Sequence, residues 1–330
     1  MTFNASNVTP VSAVEDDGEL TRWRSLLAHA DPAVRRIALL DLIDEAGEAH
    51  LPLLVEALAD PVAALRLEAV RALEAFESSA SVQAIISLLD DPERQVREAA
   101  AHALSELKHP SSAALLLASI DTDEPFKLAA LLRGLRELRV PESHAPALAA
   151  LAHAHPGVRR EAVAVLGYLK WQAAIVPLAT LAVEDAEPEV RRAASGALGF
   201  AHGPAVLAAL LAALQDPEWQ VREEAATTLG KRQLRDAVEA LVAALDDPYW
   251  QVRLRAARSL GRLRDRRAVA ALVTSLGHTN GNLRKESALA LGEIGDASAR
   301  PALLLAEQDA DPEVRKAVRL ALQQIDSAAT

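Results

Sequence analysis

Cysteine is absent from the chain, and its absence excludes disulfides, thiolate metal sites and a cysteine nucleophile. Aromatic residues are scarce: 3% of the total, against 51% hydrophobic residues of all kinds. Alanine, leucine and valine must therefore fill the interior, as in closely packed helix pairs. No uninterrupted apolar run approaches the roughly 20 residues that a bilayer-spanning helix needs. Met1 to Leu20 contain no basic segment followed by an apolar stretch, so no secretory signal is visible. Gly-rich phosphate loops, Gly-x-Ser-x-Gly and His-Glu-x-x-His are missing too, which removes the usual marks of nucleotide, hydrolase and zinc-protease chemistry. The expectation is a cytoplasmic protein without a membrane segment, a cofactor or a catalytic set.

Positive charge is also in short supply. The formal net charge is −11, which disfavours non-specific binding to nucleic acid. The imbalance lies in the first half: 25 acidic and 15 basic residues through Val165, then 21 acidic and 20 basic.

What the chain has in abundance is repetition. An acidic residue and a proline, an apolar residue and an arginine, then an alanine-rich segment often closed by Leu-Gly, recur about every 31 residues. The arginines fall at Arg35, Arg66, Arg97, Arg159, Arg191, Arg222, Arg253, Arg284 and Arg315, with Lys127 in the one gap. A fixed period of this size means stacked supersecondary units, none of which buries its apolar face alone. The length of 330 residues would otherwise suggest about two domains.

Apolar residues at helical spacing, such as Leu241, Val242 and Leu245, predict two helices per unit. In the unit around Asp247 the first helix is expected over 236–245. Asp247 is then expected as N-cap, Pro248 at the first helical position, and the second helix as far as Leu260. Leu263 to Arg266 are read as a turn, and Asp216-Pro217 and Asp311-Pro312 as repeats of the same cap. Ten units result: 19–47, 48–77, 78–109, 110–140, 141–170, 171–202, 203–233, 234–264, 265–295 and 296–327. Residues 1–18 read as a flexible leader and 328–330 as a tail. The unit 110–140 is irregular, with Gly134 inside its second helix and a local change of curvature expected there. His278-Thr279-Asn280-Gly281 replaces the Asp-Pro cap in the ninth unit, predicting a looser turn.

The line Asp-Pro-x-x-x-Val-Arg-x-x-Ala-Ala-x-x-Leu-Gly stands intact at Asp216–Gly230 and Asp247–Gly261, with weaker copies over nearly all of 19–326. It resembles HEAT-like repeats of the phycobilin-lyase type and is similar to artificial helical-repeat binders built on them. The resemblance implies an all-α, right-handed α-solenoid of about ten helical hairpins. It leaves function open among interaction scaffolds, assembly factors, bilin lyase subunits and iron-dependent hydroxylases. It also implies that the repeat arginines form an internal ladder with the turn aspartates, Arg222 with Asp216 and Asp247, and Arg253 with the same two.

In such a fold certain second-helix positions look into a concave groove. Here they include Trp219, Gln220, Glu223, Glu224, Thr227 and Lys231, then Trp250, Gln251, Arg255, Arg258 and Arg262. One position, followed through successive units, reads Tyr168, Phe200, Lys231, Arg262 and Glu293, an aromatic patch running into a basic one. Trp219 and Trp250 lie one period apart and are expected side by side. Tryptophan and arginine dominate binding hot spots, although a tryptophan here also suits packing across the helix turn. Arg255, Arg258 and Arg262 share one helical face within the run Arg253 to Arg267. That face suits an acidic partner or an anionic ligand; the alternative is neutralisation by Glu223, Glu224 and Glu286.

The hydroxylase pattern fails residue by residue. Its His-Glu pairs are replaced by Arg160-Glu161, Glu223-Glu224 and Lys285-Glu286. His153 and His155 share a turn but lack a third ligand, and His102 near Glu98 and Glu106 reads as helix salt-bridging. The leading expectation is a non-catalytic scaffold or assembly factor that holds a protein or peptide with an acidic patch. The alternative is a bilin or tetrapyrrole lyase subunit, or a cofactor-handling chaperone, for which the aromatic and basic positions would hold an anionic planar ligand.

Overall fold

Residues 12–45 and 47–328 are described by a computed structural model, and among them helices and turns account for all regular structure. The chain divides into two compact units, Met1–Ser143 and His144–Thr330. The first contains α1 (Ser12–Leu27), α2 (Pro32–Asp44), α3 (Leu51–Ala57), α4 (Ala63–Leu73), α5 (Ser79–Ser87), α6 (Arg94–Ser105), α7 (Ala113–Ala118) and α8 (Pro125–Leu138). The second contains α9 (His144–Ala150), α10 (Pro156–Leu169), α11 (Ile175–Glu184), α12 (Pro188–Ala197), α13 (Pro204–Ala213) and α14 (Trp219–Lys231). It continues with α15 (Val238–Ala243), α16 (Trp250–Leu263), α17 (Val269–Ser275), α18 (Gly281–Ile294), α19 (Arg300–Ala306) and α20 (Pro312–Ala328). These pair as ten hairpins, so the predicted all-α solenoid is the observed one.

Within each unit the helices form two layers. Even-numbered helices pack on even-numbered ones, α2 to α8 in the first unit and α10 to α20 in the second. Each also packs on the odd-numbered partner of its own hairpin. The apolar face of a hairpin is covered only by its neighbours, which is why repetition itself supplies the core. That core is largely aliphatic: Leu39, Leu53, Leu73, Leu104 and Leu131 are buried in the first unit, and Leu166, Leu210, Leu229, Leu260 and Leu291 in the second.

Glycine sets the spacing of the even-numbered layer. A Cβ added at Gly261 would lie 2.8 Å from the Ala290 Cα, and one at Gly292 would lie 2.7 Å from the Ala321 Cα. The Leu-Gly that closes the repeat is therefore a contact point where the next second helix rests on bare backbone. Gly134 does the same work in the irregular unit, where an added Cβ would lie 2.9 Å from the Leu104 carbonyl oxygen.

The repeat arginines tie successive hairpins together. Arg35, Arg66, Arg159, Arg191, Arg222 and Arg284 each grip the aspartate of the following turn: Asp60, Asp91, Asp185, Asp216, Asp247 and Asp309. The Nε bonds measure 2.6–2.7 Å and the Nη2 bonds 2.7–3.0 Å. Nη1 turns back to its own loop; in Arg222 it donates to the Asp216 carbonyl at 2.8 Å and the Pro217 carbonyl at 3.0 Å. The aspartate has a second task, since Asp247 Oδ1 accepts from Tyr249 N–H at 2.8 Å. One carboxylate thus fixes both the neighbouring arginine and its own turn.

Several sequence expectations change in detail. Of the expected leader, residues 12–18 belong to α1, while 1–11 lie outside the described residues, as do 329–330 of the expected tail. Asp247-Pro248 precedes its helix, which begins at Trp250, because Asp247 is committed to the ladder and closes a turn onto Tyr249. Asp311-Pro312 stands two residues later in the repeat and does open its helix, with Asp309 in the ladder position. The second helix of that eighth hairpin extends to Leu263, a buried residue, beyond the expected Leu260. Arg253 donates only to the Asp247 and Pro248 carbonyls and grips neither expected carboxylate, because His278 stands where its aspartate would be. The turn at His278 is well tied rather than loose. His278 Nδ1 accepts from Asn280 N–H at 2.9 Å, and Asn280 Oδ1 caps Asn282 at 2.9 Å and Leu283 at 3.4 Å.

Candidate ligand face of the second unit

Every predicted binding residue lies in the second unit, on or just after its even-numbered helices. Trp219 and Trp250 open α14 and α16, where the non-helical Glu218 and Tyr249 release the chain into the helix. The structure does not record the two indoles against each other. Trp219 instead stacks on Tyr249, with ring centroids 5.6 Å apart and an interplanar angle of 14°. The Arg222 guanidinium lies 5.6 Å from the same Tyr249 ring. Tyr249, whose neighbour Trp250 drew the attention in the sequence, thus takes the stacking role. Trp250 is left 47% exposed and Tyr249 45% exposed. Gln220 and Gln251 each bury a side-chain Oε1 without a hydrogen-bond partner.

The arginine face is partly spent within the protein. Arg255 Nε donates to Glu223 at 2.9 Å, and Arg258 forks onto Glu286 with bonds of 2.5–3.2 Å. Arg266 pairs with Asp296, and Arg267 with both Asp265 and Glu239. The Arg267 hydrogen bonds hold the Asp265 carboxyl down at about 2. Arg262 is exposed and has no ion pair among the described residues, and the same holds for Lys231. The free cations of this face are therefore Lys231 and Arg262 rather than the whole predicted triplet.

Glu224 sits in the same region, half-buried. Burial raises its carboxyl above the ordinary glutamate range, with Glu223 adding in the same direction and Arg192, Arg255 and Lys231 opposing. Its Oε1 would lie 2.9 Å from a Cβ built on Gly196.

Three predicted residues come together in space. Tyr168, Phe200 and Lys231 line one cleft of about 550 Å³, formed by the C-terminal ends of α10, α12 and α14. Lys170 and Arg232 add to its basic lining, and Gly167, Gly196 and Gly199 line it too; of these only Gly199 has open space where a Cβ would stand, since Gly167 faces Ala197 and Gly196 faces Glu224. Sequence reading missed Lys170, Arg232 and the glycines. The Leu-Gly spacing was the available signal, but only packing shows where bare backbone lines a cleft.

The histidines have local duties. His153 Nδ1 accepts from His155 N–H at 2.9 Å, and His155 Nδ1 accepts from Gly157 N–H at 3.1 Å, so both cap the start of α10. His102 is exposed, and Glu98 is taken by Arg94 at 2.7 Å. Among the described residues no three His, Asp or Glu side chains are grouped so as to hold a metal ion. Nor is any described helix long and apolar enough to cross a membrane.

Comparison with known proteins bears on this architecture. A family model described as HEAT repeats matches residues 51–136, 121–199, 145–230, 175–249 and 238–323. No curated protein sequence matches the chain. Among solved structures, an engineered protein is similar with a TM-score of 0.51 and 21% identity, over 93% of this chain and 99% of that one. The Escherichia coli protein YibA is similar with a TM-score of 0.53 and 18% identity, over 98% and 99% of the two chains. Kap95p, from a study of its binding to RanGDP, gives a TM-score of 0.64 at 15% identity, over 98% of this chain and 51% of Kap95p.

Proposed function

The chain belongs to the HEAT-repeat family, and on that premise we propose that it is a non-catalytic scaffold whose second unit holds an acidic protein or peptide along its even-numbered helices. The observation that carries this reading is the pair Tyr249 and Trp250, each nearly half exposed at the start of α16, on a helix whose far end carries Arg262 without an ion pair among the described residues. Large aromatics held in place by packing lose little freedom on binding and supply most of the energy in protein interfaces. Kap95p, similar in fold, is a protein that binds another protein, RanGDP. The charges available on this face, Lys231 and Arg262, favour an acidic partner, and their effect is strongest in steering association.

Affinity purification of the full chain from its native host tests the proposal. The wild type retains a stoichiometric partner; Trp250→Ala combined with Arg262→Glu loses it while melting at the same temperature. An unchanged set of co-purifying proteins would remove this assignment. The tetrapyrrole alternative draws on the aromatic and basic lining of the Tyr168–Phe200 cleft. Absorbance titration with a bilin tests it, and an unshifted spectrum at micromolar ligand eliminates it.

A further inference from the structure

The cleft between the ends of α10, α12 and α14 combines three properties that rarely coincide by packing alone. Its walls are apolar: Tyr168, 43% exposed, and the half-buried Phe200. Part of its lining is bare backbone, at Gly199. A Cβ on Gly199 would meet nothing nearer than the Lys231 Nζ at 3.7 Å, so this part of the lining is open for want of a side chain. Its rim is cationic, carrying Lys170, Lys231 and Arg232, and no acidic side chain lines it.

Cations at helix C-termini have an ordinary explanation, since they complement the helix dipole. Lys170 caps α10, Lys231 ends α14 and Arg232 caps it. That explanation does not account for the hydrogen bonding. Arg232 directs Nη2 at the His202 ring, while its Nε is buried without an acceptor. Lys170 and Lys231 form no ion pair among the described residues. The Glu224 carboxylate approaches Gly196, and burial raises it above the ordinary glutamate range against the opposing pull of Arg192, Arg255 and Lys231.

We infer that this cleft receives an aromatic side chain of a partner peptide, with acidic residues on either side of it in the peptide lying along the cationic rim. The volume of about 550 Å³ lies within the range of small-ligand sites and exceeds one aromatic side chain. Lys170 and Lys231 stand exposed, with Arg232 half-buried beside them, so the charged part of the occupant extends out of the cleft. Charge complementarity selects the flanking acids, and the apolar walls select the ring between them. The inference rests on the scaffold reading and adds to it a second contact point, distinct from Trp250.

Fluorescence anisotropy on the full chain tests it with a labelled peptide holding one phenylalanine between two pairs of glutamates. Saturable binding is expected, weakening as salt is raised. Replacing the phenylalanine with alanine, or the glutamates with lysines, weakens it at least tenfold. On the protein, Gly199→Leu fills the cleft and Lys231→Glu reverses its rim; each is expected to weaken binding at least tenfold. Thermal melts check that both variants are folded, and Tyr168→Ala serves as the second cleft variant if Gly199→Leu melts early. Trp250→Ala leaves this short peptide bound. Absence of saturable binding up to millimolar protein overturns the inference, as does binding indifferent to both Gly199→Leu and Tyr168→Ala. A bilin whose absorbance shift is lost with Gly199→Leu, in a protein that shows no saturable binding of the peptide, would assign the cleft to a planar small molecule and overturn it equally. If the native partner is lost with Trp250→Ala and Arg262→Glu but kept with Gly199→Leu, this inference fails and the scaffold reading stands.

Discussion

The two units share one repeat and differ in what they do with its charges. The first, through Ser143, has 24 acidic and 13 basic residues and so carries the entire net charge of −11. The second has 22 of each. The contrast is local as well as global. In the first unit a cleft of about 930 Å³ near the ends of its second helices is lined by Glu48, Glu74, Glu77 and Glu106, with Lys108 and His109. Glu77 there accepts from the Lys108 and His109 N–H groups and from Ser112, so part of the acidity ties one hairpin to the next. The corresponding region of the second unit is lined by Lys170, Lys231 and Arg232. The lesson is that the repeat fixes the ladder and the layer spacing and leaves helix ends free to vary in sign.

The ladder is the feature both units share, and breaking it has the largest expected effect. Asp247→Ala removes the carboxylate from a buried arginine and uncaps a turn at once. A loss of about 3 kcal/mol is expected, the range found when one partner of a buried pair is removed. Chemical denaturation measures it, and hydrogen exchange should place the loss at the turn before α16. A melt within error of the wild type would show that the rung gives register without stability. The layer spacing comes next. Gly292→Ala places a methyl 2.7 Å from the Ala321 Cα and should cost about 2 kcal/mol through overpacking, whereas Gly18→Ala meets open space within α1 and should stabilise by up to about 1 kcal/mol. Equal melting temperatures for the two variants would dispose of the close-approach argument.

The missing rung sharpens the comparison in the other direction. Arg253 has a buried Nε without a partner where its counterparts grip a carboxylate. His278→Asp should complete the rung and add about 1 kcal/mol, a typical net return for a well-made hydrogen-bonded contact. No gain in a denaturant titration would mean that the position of α18 sets the arginine geometry, not the reverse.

Acid should weaken both units together. Hydrogen bonds from Arg66 and Arg284 hold Asp91 and Asp309 below the usual carboxylate range. At Asp60, Asp185 and Asp247 burial pushes upward, but the arginine and backbone N–H bonds outweigh it. A depressed native pKa gives stability that is fully present above the unfolded value, about 4, and is lost as pH falls through the folded value. Melting followed by circular dichroism should therefore be steady from neutral pH to about 4 and fall below it. Glu224 has the opposite sign. Its raised native carboxyl binds the proton more tightly than the unfolded chain does, so it penalises the fold above its native pKa and is relieved as pH drops. Glu224→Gln should bring the smallest change, a slight gain at neutral pH that vanishes in acid; a loss at neutral pH would reverse this account.

Much of this was legible in the residues. A period of 31, the Val-Arg pair and the alanine-rich second helix are local signals that lead directly to ten hairpins, and the family resemblance they carry implies the Arg222–Asp247 rung. Side-chain commitments were less legible, because they depend on which neighbour arrives first. Sequence left Arg258 open between an outside partner and neutralisation by Glu286, and only packing brings Glu286, 28 residues on, beneath it. Trp219 looked like a partner for Trp250, but stacking at the turn went to Tyr249.

By itself the sequence determined the repeat, the helix pairs and the confinement of the negative charge to the first half, since all three follow from residue type and spacing along the chain. Only the tertiary structure decided which cations stay unspent and where glycine lines a cleft. Ion pairing and close approach are properties of the distance between hairpins, and that distance is set by the packed layers.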